Sequence, residues 1–131
     1  MEQITIPART DRLNEVWDFI EGVMQSTGID VKQQNNIRIA VEEVFVNITS
    51  YAFPTGEGEV SVSVTVDSEK ISIKFSDSGT PYDPLAKADP EISLSADERE
   101  IGGLGIFMVK KMMDDVRYRY EDGKNILTIE K

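Results

Sequence analysis

Three short stretches of the chain carry residues whose types and spacing suit chemistry. In "VEEVFVNITSYAF" (41–53), Glu43 and Asn47 stand four residues apart. On a helix that spacing turns by about 40°, so the two side chains follow one border of the apolar stripe Ile37, Val41, Val44, Ile48 and Tyr51. Asn36 and Ala40 share the border, while Glu42 projects toward the opposite one. A carboxylate and an amide oxygen held together at a core boundary suit a general base and a hard cation. A boundary pair that hydrogen-bonds loops or water is the plain alternative, because polar pairs at this spacing are common on helices.

The second stretch, "FSDSGTPYDP" (75–84), leaves a strand and passes at once into turn residues. Asp77 then sits at the mouth of a sheet, free to accept from a ligand amine. Gly79 allows close backbone approach, and Pro81 and Pro84 stiffen the exit. An ordinary Asp-Ser-Gly turn explains the same residues. The third stretch, "GGLGIFMVKK" (102–111), is a glycine-rich turn opening a helix. The first amides of a helix lack partners and its dipole favours anions there, so Gly102, Gly103 and Gly105 would let phosphates reach the backbone. No Gly-Lys-Ser/Thr follows, which excludes a Walker loop. Met108 stands where a dinucleotide fingerprint has its last glycine, and the charged "DERE" precedes the turn where a strand should be. A tight loop-to-helix turn accounts for the glycines equally well.

The elements that must position these residues follow from periodicity. "QITIPA" reads as a first strand ended by Pro7. Leu13, Val16, Trp17, Ile20, Val23 and Met24 recur at helical spacing, with Gly28 as a stop. Asp30 is an N-cap for a second helix running to about Ala52, closed by Pro54 and Gly56. Val60, Val62, Val64 and Val66 alternate with polar neighbours, and Ile71, Ile73 and Phe75 answer them after a "DSEK" turn, which predicts an antiparallel hairpin. Residues 76–101 form a long Pro-, Asp- and Ser-rich stretch of the kind that is functional or disordered. A third helix and a closing hairpin turning at Asp122-Gly123 complete the chain. Three helices and about five strands predict one helical layer on one sheet.

Bulk properties narrow the function. The 131 residues are expected to form a single domain, 1–131, large enough for one core. Lys and Arg total 14 against 24 Asp and Glu, and the net charge of −10 argues against general affinity for nucleic acid or an anionic membrane. A polyanionic ligand would need a metal ion, helix termini or a few placed cations. The chain has no Cys and no His, which excludes disulfides, thiolate chemistry and a phosphohistidine acceptor within it. The N-terminus lacks an apolar signal core and no run approaches a spanning helix, so a cytoplasmic location is expected.

In order and spacing, the stretches around Glu43/Asn47, Asp77/Gly79 and the glycine turn resemble the N, G1 and G2 boxes of the GHKL ATPases. With "GGLGIFMVKKMMDDVRY" running into a closing hairpin, the chain is most similar to the anti-sigma-factor serine/threonine kinases of bacteria, from Gln3 to Lys131. The resemblance implies an α+β fold, a two-layer sandwich of the GHKL (Bergerat) type with a mixed, mostly antiparallel sheet and helices on one face. It implies ATP and Mg²⁺ as cofactors. Glu43 would be the base that activates the substrate hydroxyl, and Asn47 would bind the Mg²⁺. Asp77 would accept from the adenine amino group and Gly79 would shape its pocket, with Thr128 a further contact. Gly103, Leu104 and Gly105 would bring amides to the phosphates, residues 76–101 would include a lid, and Arg99 could reach the terminal phosphate. Many relatives have His where Tyr51 stands, a position that reads as packing.

The implied activity is transfer of the γ-phosphoryl group to a serine or threonine of an anti-anti-sigma (STAS-type) protein, with a sigma factor or other regulated protein as second partner. Homodimerisation through the first strand and helix is also implied, although Leu13, Val16 and Trp17 suit core as well as interface. Two other readings remain. One is a nucleotide-gated anti-sigma or partner-binding module with little catalysis, for which Glu43 would be superfluous; the other is a stand-alone ATPase whose acceptor is water.

Overall fold

The computed structural model describes residues 2–53, 57–67, 70–86 and 103–131. Strand β1 (Glu2–Pro7) leads through a 3-10 turn (Thr10–Arg12) into helix α1 (Leu13–Met24). Helix α2 (Val31–Asn47) runs on into a π turn (Ile48–Ala52), and strands β2 (Glu59–Asp67) and β3 (Lys70–Asp77) follow. A 3-10 turn (Pro84–Ala86), helix α3 (Gly103–Met112) and strands β4 (Asp115–Glu121) and β5 (Lys124–Glu130) complete the order.

The five strands form one sheet in the order β1-β2-β3-β5-β4. Every neighbouring pair is antiparallel, which corrects the expectation of a mixed sheet. The reason is topological. Strands β3 and β4 run in the same direction on either side of α3, but β5 inserts between them and pairs antiparallel with both.

Alternation along the strands separates two faces. Ile6, Val60, Val62, Val64, Ile71, Ile73, Phe75, Leu127 and Ile129 are buried on one, under the helices. The other carries Thr5, Ser61, Ser63, Ser72 and Lys74, with the hydroxyls of Thr5 and Ser61 hydrogen-bonded at 3.0 Å. Val66 continues the dry register but lies at the strand end, where it is exposed.

The helical layer contributes Val16, Ile20 and Met24 from α1, Ile37, Val41, Val44 and Phe45 from α2, and Val109 from α3 to the same core. Complete burial of such side chains is worth about 1.5–3 kcal/mol each, which anchors α2 against the sheet despite its polar residues. Val16 and Trp17 are buried within the chain and Leu13 packs on the core, so these three serve the core.

Local signals set the ends of the elements. Asp30 caps α2, its Oδ1 accepting from the Gln33 amide at 2.8 Å. Asp122 and Gly123 have φ of 54° and 77°, the pair of positive values that a two-residue hairpin turn needs. After Asn47 the helix widens into the π turn instead of continuing as α, a local feature with no signal in the apolar spacing. The Ala52 carbonyl at its end accepts from the Thr80 amide at 2.8 Å, which ties α2 to the chain beyond β3. Among the described residues no helix is long and apolar enough to cross a membrane.

Candidate active site

Helix α2 places Glu43 and Asn47 on the border that faces the first turn of α3. Glu43 is half-buried and Asn47 is 5% exposed. The Asn47 Nδ2 donates to the Glu43 carbonyl at 2.9 Å, which holds the amide in one orientation. Its Oδ1 is buried and, among the described residues, has no hydrogen-bond partner. A buried amide oxygen left in this way costs about 1–3 kcal/mol. A divalent cation fits that oxygen. Among the described residues no cluster of three or more His, Cys, Asp or Glu could hold a metal.

Gly105, in the first turn of α3, abuts this pair. A Cβ there would come within 3.0 Å of the Glu43 carboxylate and 3.8 Å of Asn47 Nδ2. Glycine leaves the space in which the Glu43 carboxylate sits against the turn. A helix start leaves its first backbone amides without intrahelical partners, and the first turn of α3 lies beside the Glu43 carboxylate. Lys110 and Lys111 lie in the last turn, the end where positive charge complements the dipole.

Asp77 ends β3 and is 4% exposed. Its Oδ1 accepts from the Gly79 amide and from Asn125 Nδ2, each at 2.9 Å. Burial pushes the Asp77 carboxyl above its ordinary pKa, and the two donors pull it back in part. Gly79 is pressed against the π turn. A Cβ there would lie 2.9 Å from both the Ala52 carbonyl carbon and the Phe53 ring. Just beyond, Tyr82 stacks on Tyr51 with centroids 4.5 Å apart and planes at 15°. Tyr51 therefore packs, as expected.

One cleft joins the two ends. Val44, Asn47, Ile48 and Ala52 line it from α2 and the π turn, Phe75 and Asp77 from β3, Tyr82 and Pro84 from the following segment, and Tyr118, Asn125 and Leu127 from the last two strands. As the side chains stand, its volume is about 20 Å³, room for about one water, so a larger occupant requires them to part. Apolar walls with one carboxylate and two amides suit a flat heterocycle bearing an amine.

The structure thus brings Glu43, Asn47, Asp77, Gly79 and the α3 turn with Gly103, Leu104 and Gly105 to one side of the molecule. Glu42, as expected, turns away and pairs with Arg38 at 3.1 Å. Arg99, Gly102 and most of the expected lid lie outside the described residues.

Thr128 is a correction. It lies opposite Lys74 and Arg117 on the open face of the sheet, alongside Ser72 and Ile126, with the strand between it and the cleft. The inward positions of β5 are Asn125, Leu127 and Ile129, and Asn125 is the one that reaches Asp77. A polar residue in phase with two buried apolar ones was the signal in the sequence.

Comparison with known proteins shows the family and the fold. Residues 6–131 match the histidine kinase-like ATPase domain family, and the chain belongs to that family. Proteins named Serine-protein kinase RsbW from Listeria innocua and Bacillus cereus are 27% and 24% identical to it over 129 residues. In both alignments 95% of this chain is covered, with 82% of the Listeria protein and 81% of the Bacillus one. Among solved structures, the RsbU and RsbW domains of a Mycobacterium tuberculosis protein superpose with a TM-score of 0.64 at 15% identity. That match covers 99% of this chain but 32% of the longer one, so the chain spans about a third of that protein. The catalytic domain of the histidine kinase ThkA gives a TM-score of 0.57 at 14% identity, covering 99% of this chain and 95% of that one. Both structures share the fold.

Proposed function

We propose that the protein is an ATP-dependent serine/threonine kinase that works in the cytoplasm as an anti-sigma factor in a partner-switching system. Its substrate would be an anti-anti-sigma protein of STAS type, and a sigma factor or another regulated protein would be its second partner. The observation that carries the kinase reading is the meeting of α2 and α3. The Glu43 carboxylate and the Asn47 side chain lie against Gly105 in the first turn of α3, and Asn47 Oδ1 is buried without a partner among the described residues. The partner assignment rests on the likeness to the RsbW proteins over nearly the whole chain. A homodimer through the free edge of β1 belongs to the same proposal.

Bound ATP with Mg²⁺ supplies the phosphoryl group and the charge that neutralises its oxygens. The residues of this chain do the rest by positioning. Asn47 Oδ1 would hold the cation, and the amides that open α3 would hold the phosphates. Asp77 accepts a hydrogen bond from the amine of the base, and the apolar cleft wall excludes water around it. The Glu43 carboxylate takes the proton from the acceptor hydroxyl as its oxygen bonds to phosphorus and ADP departs.

The test uses labelled ATP, Mg²⁺ and a purified STAS-type acceptor. Label on a serine or threonine of the acceptor, absent with Glu43→Ala although ATP still binds, is the expected result. Transfer at the wild-type rate by Glu43→Ala would remove the base assignment. Tight acceptor binding without label would select a nucleotide-gated binding module instead.

A further inference from the structure

The segment that follows β3 runs across the cleft as a strap, and its middle is fastened through Tyr82. Thr80 is the fixed end, held on two sides. Its amide donates to the Ala52 carbonyl at 2.8 Å, and its carbonyl accepts from Asn125 Nδ2 at 3.0 Å. Pro81 follows and offers no N–H. The Tyr82 amide donates to Asn125 Oδ1 at 3.1 Å, while its ring stacks on Tyr51, a residue of the π turn. The Asp83 carboxylate then accepts from the Leu85 amide at 2.9 Å and shapes the Pro84–Ala86 turn, which lies against α3 and β4.

This strap is what leaves the cleft so small. Tyr82 and Pro84 face Val44, Phe75 and Leu127 across a space of about 20 Å³. Small-molecule sites run to about 300 Å³ or more, so one wall has to give before a ligand enters. Val44, Phe75 and Leu127 belong to the close-packed core between helices and sheet. The strap belongs to neither layer, and it is the wall that yields.

Tyr51 is not among the residues that line the cleft. It acts on the cleft through the Tyr82 ring, with centroids 4.5 Å apart and planes at 15°. A stacked aromatic pair of this kind shifts an equilibrium by a factor of about two to ten.

Building on the nucleotide-binding reading above, we propose that Tyr51 is a positioning residue that latches the strap: its stack on Tyr82 holds the cleft shut, so that a nucleotide binds the open form and Tyr51 sets the affinity without touching the ligand. Apparent affinity is the intrinsic one reduced by the fraction open, so a weaker latch raises both by one factor. Opening also breaks the Tyr82–Asn125 hydrogen bond, and exchange of the Tyr82 amide with solvent rises by that same factor. The Thr80 amide, at the fixed end, keeps its rate.

The test measures amide hydrogen exchange without nucleotide and Mg-ATP binding kinetics for the wild type, Tyr51→Ala, Tyr51→Leu and Tyr51→Phe. Thermal melting verifies that each variant is native. The leucine variant keeps apolar bulk in the π turn, so it remains informative if the alanine variant does not fold. In both, the Tyr82 amide should exchange about two- to tenfold faster with the Thr80 amide unchanged. Mg-ATP should bind tighter by a matching factor, the gain lying in the association rate. Tyr51→Phe keeps the ring and should behave as the wild type. A purely structural role would speed exchange at Thr80 and Tyr82 together and leave ATP affinity equal or weaker, and that result overturns the proposal. A phenylalanine variant that behaves like the alanine one also overturns it, because the stack would then be irrelevant. A wild type that binds no nucleotide, while the Tyr82 amide responds as stated, overturns the nucleotide reading and upholds the latch. Tight ATP binding that is unchanged in Tyr51→Leu overturns this inference alone.

Discussion

Replacing Gly105 by Ala isolates the catalytic arrangement from the fold. The added methyl would fall within 3.0 Å of the Glu43 carboxylate, whereas ordinary contact begins at 3.4 Å. The intruding atom belongs to the far end of a flexible side chain, so Glu43 yields and the backbone does not. Asn47 Nδ2, at 3.8 Å, is already at ordinary contact and stays. The carboxylate must retreat by roughly 0.5–1 Å, and a misplacement of that order costs about 100-fold in kcat. Stability moves little, because Ala in place of Gly within a helix gains about 0.8–1 kcal/mol, which offsets the crowding. The assay is single-turnover phosphoryl transfer to the protein acceptor, together with ATP affinity and a thermal melt. The expected pattern is a kcat lowered about 100-fold, with ATP affinity within tenfold and Tm near that of the wild type. A natively folded Gly105→Ala protein with unchanged kcat would refute the reasoning, because it would show that the Glu43 position is irrelevant to the chemistry.

Three further outcomes follow from the same geometry. Gly79→Ala meets backbone and a packed ring instead of a mobile tip, at 2.9 Å from the Ala52 carbonyl carbon and the Phe53 ring, and it disturbs the Thr80–Ala52 hydrogen bond. It should lower unfolding free energy by about 1–3 kcal/mol in a urea titration, and a loss under about 0.5 kcal/mol would contradict the crowding. Asn47→Leu removes the unpartnered Oδ1 as well as the bond to the Glu43 carbonyl, so the free protein should melt no lower than the wild type while magnesium-dependent ATP binding disappears. Calorimetry with and without Mg²⁺ reads this directly, and a variant with intact magnesium dependence would remove Asn47 from the metal role. The last outcome concerns pH. Because burial raises the folded-state pKa of Asp77, the folded chain holds its proton in a range where the unfolded chain has lost it. The free protein should lose stability as pH rises from the ordinary carboxylate range through that raised pKa, and Asp77→Asn should lack this slope. ATP affinity should run the opposite way, weakening as acid protonates the acceptor. Identical pH slopes for wild type and Asp77→Asn would dissociate Asp77 from both effects.

The readable parts of the protein are those decided within a few residues. The turn of the helix alone sets Glu43 and Asn47 on one border, and the Asp30 cap and the Asp122-Gly123 turn depend on nothing beyond their neighbours. Valine alternation separates the faces of β2 in the same way. Nothing local revealed the π turn after Asn47, or that β5 would enter the sheet between β3 and β4. The strand faces near the site show the limit most clearly. Thr128 and Asn125 differ by an odd number of positions, so the pleat sends them to opposite sides, and only the pairing with Asp77 settles which side meets the cleft.

The sequence by itself therefore determined the inventory of groups and their local order: a carboxylate four residues from an amide, an aspartate at a strand end and glycines at a helix start. The tertiary structure decided their company. It set Gly105 against Glu43, left Asn47 Oδ1 buried without a partner among the described residues and closed Asn125 on Asp77, contacts between residues 43 and 105 and between 77 and 125. Helical phase and turn chemistry are short-range properties of the backbone, whereas these contacts exist only once the burial of one apolar face has packed the helices onto the sheet.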